Sequence, residues 1–89
     1  MKNNQILGAL ALDLKRVAIG YFRGSNIMAD RFYEEALKRR EELDRKNLKP
    51  YLVNILNKLD NLRKQEKLRA AEDALLYSTI FQNAAVSGK

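Results

Sequence analysis

The chain predicts an all-α fold, a small antiparallel helical bundle spanning residues 1–89 as a single domain. Two observations point there. Apolar residues recur three and four apart, and Val and Ile follow that spacing instead of alternating. Clear turn-forming clusters stand only at residues 23–26 and 47–50, which leaves long uninterrupted segments between them.

The first helix is expected over residues 4–22. Leu7, Leu10, Leu14, Val17 and Tyr21 form its main stripe, widened by Ala11 and Ala18, and Asn3 or Asn4 can cap it. Leu12, Ile19 and Phe22 start a second stripe, so this helix should touch more than one neighbour. Arg23-Gly24-Ser25-Asn26 ends it, with Gly24 suited to the left-handed residue past a helix and Ser25 or Asn26 to the next cap.

The second helix is expected from about residue 27 to 46. Met28, Phe32, Ala36, Leu37 and Leu43 make its buried strip, with Tyr33 beside it. Glu34–Lys38, Glu35–Arg39, Glu41–Arg45 and Glu42–Lys46 are spaced as surface ion pairs, each worth about 0.2–0.5 kcal/mol. Asn47 can cap the third helix and Pro50 fits its first turn. Leu48, Leu52, Ile55, Leu59 and Leu62 then mark its apolar line.

Beyond Leu62 propensity and pattern disagree. No Gly, Pro or Ser interrupts residues 51–77, so propensity extends the helix, while the apolar stripe falls out of phase. Two architectures follow: four helices running up and down, with a tight turn near residues 64–67, or three helices with a long C-terminal one. The four-helix hairpin is the first choice.

A domain of 89 residues buries only about 60–65% of its unfolded surface and benefits from reinforcement. Neither Cys nor His occurs, which removes disulfides and the usual transition-metal ligand sets and leaves oligomerisation. The same absence argues against a nucleophile–base pair. No strained Gly-x-Ser-x-Gly turn surrounds Ser25, Ser78 or Ser87, no Glu-x-x-His occurs, and no phosphate-binding glycine loop is present. The expectation is a protein that is not an enzyme and carries no cofactor.

Residues 6–12 resemble a short signal-peptide core, but a single lysine precedes them, no Ala-x-Ala site occurs and Asp13 follows. No apolar run reaches the ~18–20 residues of a membrane span. A cytoplasmic protein without membrane contact is expected.

Two surfaces emerge as candidates. The net charge is +6, and residues 63–69 hold four bases, Arg63, Lys64, Lys67 and Arg69, against one acid, Glu66, a local net of +3. In an up-down bundle Arg23 and Arg31 share that pole, making a cationic cap for nucleic acid or another polyanion. No aromatic residues interleave with the belt, and no helix-turn-helix is evident, so this reading stands second. The first concerns residues 74–86, apolar on several sides like the first helix. Leu12, Ile19, Leu75, Leu76, Ile80 and Phe81 are expected to form a self-association surface. The chain then works as an interaction or scaffolding module, a homodimer, with a further protein partner left open.

Overall fold

A computed structural model describes residues 2–87. They form four α-helices: α1 (Lys2–Phe22), α2 (Asn26–Glu41), α3 (Pro50–Lys58) and α4 (Lys67–Ser87). Arg45–Asn47 is a short 3-10 turn, and Leu59–Lys64 continues α3 as a 3-10 segment.

Contacts across the chain fix the directions. Ser25 is the N-cap of α2, its hydroxyl accepting from the Met28 amide, and Gly24 takes φ +76°. The amides of Gly24 and Ser25 donate to the carbonyls of Tyr21 and Gly20, closing α1 with a Schellman arrangement. The hairpin then brings α2 back antiparallel to α1. A β-carbon on Gly20 would stand 2.7 Å from the backbone nitrogen of Ala29, so the two backbones meet here and no side chain fits between them. The Tyr33 hydroxyl donates to the Leu59 carbonyl, and Arg40 donates to that of Leu56, setting α3 antiparallel to α2. Ser78 donates to the Ala11 carbonyl and Ala85 lies against Gly8, which sets α4 antiparallel to α1. The bundle is thus up-down-up-down, the first of the two architectures, and the long C-terminal rod is ruled out.

What ends the third helix is side-chain chemistry at the turn. The Glu66 carboxylate accepts from the amides of Leu68 and Arg69, and the Gln65 amide donates to Asp73. Two of the four orphan amides of α4 are satisfied in this way. The 3-10 winding before it has its own cause. Leu56, Leu59 and Leu62 are three residues apart, and three residues per turn stack them on one line; all are fully buried. Ile55, expected on that line, is only half-buried.

The second helix is shorter than expected, ending at Glu41. Asp44 accounts for the break: its carboxylate accepts from the Lys46 amide and the Asn47 side chain, and Asn3 pairs its own amide group with both backbone groups of Asp44. Asn47 therefore caps nothing, and α3 starts at Pro50 behind Lys49 without a side-chain cap. Of the expected i,i+4 ion pairs on α2, none forms. Arg39 reaches Asp13 instead, Arg40 reaches Asp60 and Arg63 reaches Glu34, so these charges join helices together.

The core has two textures. Small residues line the sides of α1: Gly20 and Ala29 toward α2; Gly8, Ala11, Ala18, Ala71, Ala74 and Ala85 toward α4. Leu52, Leu56, Leu59 and Leu62 close the bundle from α3 above Leu10, Leu14, Val17 and Phe81. Burying a side chain of that size contributes about 1.5–3 kcal/mol.

Candidate functional site

The self-association residues do not all share one face. Phe81 is 0% exposed and belongs to the core, because it lies on the same line of α4 as Ala70, Ala74 and Ser78. Ile80 is half-buried and packs on the edge of that core. Leu76 is exposed, but one residue on from Leu75 turns it about 100° away. Leu12, Ile19 and Leu75 remain, and these do lie together.

Leu12 (47% exposed) and Leu75 (42%) line one groove of about 310 Å³ along the α1–α4 seam, with Lys15, Thr79 and Gln82. Ile19 follows Leu12 by seven residues, two helical turns, and so shares its face. Leu68 precedes Leu75 by the same seven residues and is 55% exposed. The Ala11–Ser78 and Gly8–Ala85 contacts set Leu12 level with residues of α4 beyond Leu75, so Leu12 and Leu75 are staggered along the groove they share. Exposed Leu12, Leu68 and Leu75, with half-buried Ile19, thus follow seven-residue spacing along the outer faces of α1 and α4. Leu68 was not among the expected surface residues, and its heptad spacing from Leu75 is the signal that would have added it.

Small residues form the floor of this groove. Alanines and Gly8 at the contact let α1 and α4 approach closely, and Ser78 satisfies its buried hydroxyl on the Ala11 carbonyl. The larger apolar residues are left outside that contact.

The basic residues are distributed differently. The α1–α2 connection and the turn at Gln65–Glu66 occupy the same end of the bundle, as the topology requires, and Arg63 links them. It bonds Glu34 at 2.6 Å, lies 3.9 Å from Asp30 and stacks on Tyr33 with its guanidinium 4.6 Å from the ring centre. Donating that hydrogen bond to Glu34 raises the Arg63 pKa further above its ordinary range. Arg69 pairs with Asp73, and Arg31 stands over Phe32. Arg23, Lys64 and Lys67 are exposed and have no acidic partner among the described residues. Two of the six cations of the expected cap therefore carry carboxylates already.

At the opposite end a recess of about 170 Å³ is lined by Asn3, Asn4, Asn47, Asn83, Lys49 and Tyr51, among others. Asn3 and Asn47 both spend hydrogen bonds on Asp44 there, so these amides serve the α2–α3 connection. Of the four tyrosines, Tyr33 is buried, Tyr21 and Tyr77 are half-buried at the core rim, and Tyr51 is exposed. Burial pushes the phenols of Tyr21, Tyr33 and Tyr77 up. No helix among the described residues is long and apolar enough to cross a membrane. Comparison of the chain with protein-family models, with curated proteins and with solved structures gives no match.

Proposed function

We propose that this chain is a non-catalytic helical interaction module that self-associates through the outer face of α1 and α4. The observation that carries the reading is the set of apolar side chains at seven-residue spacing on the outer faces of α1 and α4: exposed Leu12, Leu68 and Leu75 with half-buried Ile19. Single exposed leucines are ordinary, whereas a contiguous set in matched heptad register is what helix-on-helix association uses. Covering the exposed part of each leucine contributes about 1 kcal/mol, and the second copy brings the same set. A small bundle without disulfides gains stability from such cover.

The test is sedimentation equilibrium of the parent and of a Leu12→Asp/Leu75→Asp double variant at tens of micromolar. The parent is expected to be a dimer. The variant is expected to be a monomer with unchanged helical circular dichroism, because both positions face solvent in the single chain. A monomeric parent overturns the proposal.

Polyanion binding at the Gly24 end is the second reading. It is supported by Arg23, Lys64 and Lys67, exposed there without acidic partners among the described residues, and weakened by the carboxylates on Arg63 and Arg69.

A further inference from the structure

We propose that the Gly24 end of the bundle docks on an anionic lipid surface, with Phe22 and Ile27 entering the headgroup layer and the cations around them meeting lipid phosphates. This surface sits at one end of the long axis, apart from the α1–α4 side, and does not depend on self-association.

Phe22 is the last residue of α1 and Ile27 the second of α2. The contact of Gly20 with Ala29 sets the two level with each other, close to the turn at Gly24. They are 53% and 86% exposed, and Ile27 is the most exposed large apolar residue among those described. Two residues separate Ile27 from Ala29, roughly 200° around the helix, so Ile27 points away from the α1 contact and into solvent.

The cations come from both connections at this end. Arg23 follows Phe22, Arg31 lies one turn after Ile27, and Lys64 and Lys67 flank the turn at Gln65–Glu66. All four are exposed, and none has an acidic partner among the described residues. The nearby acids are engaged elsewhere: Asp30 and Glu34 on Arg63, Asp73 on Arg69, and Glu66 on the amides that open α4.

This mixture selects its partner. A nucleic acid would pair with the cations but give Ile27 no cover, since a branched aliphatic side chain neither stacks on a base nor bonds to phosphate. A protein partner needs more area. The end is 19 × 18 Å across, on the order of half the ~800 Å² that each side gives a standard interface. A membrane surface meets both demands, because its phosphates lie in a plane over hydrocarbon and extend past the edges of the end. Contact of this kind needs no spanning helix, the feature whose absence made membrane contact unexpected from the sequence.

Co-sedimentation with vesicles tests the proposal. At about 50 mM salt the protein is expected to bind phosphatidylcholine vesicles holding about one-third phosphatidylglycerol, and not vesicles of phosphatidylcholine alone. Phe22→Ser/Ile27→Ser and Arg23→Gln/Lys64→Gln/Lys67→Gln should each lower the partition on the order of tenfold. Helical circular dichroism should stay unchanged, as both sets face solvent. The chain has no tryptophan, so Ile27→Trp provides a single reporter whose emission should shift to shorter wavelength on the anionic vesicles. Leu75→Trp, on the α1–α4 face, should show no such shift. The proposal is overturned if the parent leaves the vesicles unbound or binds duplex DNA in their place. It is equally overturned if Phe22→Ser/Ile27→Ser binds like the parent, or if Leu75→Trp shifts where Ile27→Trp does not. Whether the parent sediments as monomer or dimer bears on the α1–α4 face alone.

Discussion

Asp13 is the residue whose setting departs most from its chemistry. It stands on the side of α1 that faces α2, seven residues before Gly20, and the register that joins Gly20 to Ala29 carries it beside the second helix at 5% exposure. Burial pushes its carboxyl above its ordinary value of 3.8, and nearby Glu35 adds to that; Arg39 at 3.4 Å, and more weakly Arg16, pull the other way without winning. A carboxyl raised in the folded state holds its proton more tightly there than in the unfolded chain. Its charge therefore costs stability above the raised pKa, and that cost disappears as pH falls through it toward 3.8. Asp60, whose pKa Arg40 lowers through a hydrogen bond, has the opposite sign: its contribution is present above 3.8 and lost at lower pH. Comparing parent with Asp13→Asn isolates the first effect. The variant should melt at a higher temperature at pH 7, with the difference closing as pH approaches 3.8, as followed by circular dichroism at 222 nm. A variant less stable than the parent at pH 7 would mean that the Arg39 pair outweighs burial.

Among the elements, the junction of α3 and α4 shows where reading the chain succeeds and where it stops. The out-of-phase stripe after Leu62 was enough to place a turn near residues 64–67, and the turn is at Gln65–Glu66. Its mechanism was hidden because glutamate is a strong helix former by propensity and here acts as a cap through its side chain. Glu66→Ala should cost about 1 kcal/mol in urea unfolding, in the range of other lost caps, with little change in the m-value. The three-residue spacing of Leu56, Leu59 and Leu62 suits an α-helix as well, so the 3-10 winding could not be read from it, and the apolar line ran through Ile55 instead of Leu56. At the end of α2 the local sign was Asp44, which bonds Lys46 and Asn47, but the Asn3 pairing that anchors the break comes from 41 residues away in the chain. Core positions on α1 followed the stripe closely, whereas on α4 Phe81 was assigned to the outside. A helix with apolar residues all round does not disclose which of its sides is covered; the alanines at 70, 71 and 74 were the better guide.

For the molecule as a whole, the up-down topology and the grouping of basic residues at one end were legible, but their neutralisation was not. The carboxylates that meet Arg63 come from α2, and local sequence cannot bring residue 34 to residue 63. The charge this end offers a polyanion is consequently smaller than its six basic residues imply. A mobility-shift assay with mixed duplex and single-stranded nucleic acid is expected to show no complex even at about 50 mM salt, where phosphate contacts are strongest. A retained complex that dissolves near 200 mM would transfer the function to that end. The α1–α4 seam has a further consequence for how the protein is made. Gly8 meets Ala85, so during synthesis α1 waits for α4 before its alanine-lined side is covered. Until then the nascent chain offers only the α1–α2 hairpin and the leucines of α3, and closing so long a loop slows the final step. Chaperones that hold short apolar segments have their natural opening in that interval, and a chain cut short before α4 would be prone to clump.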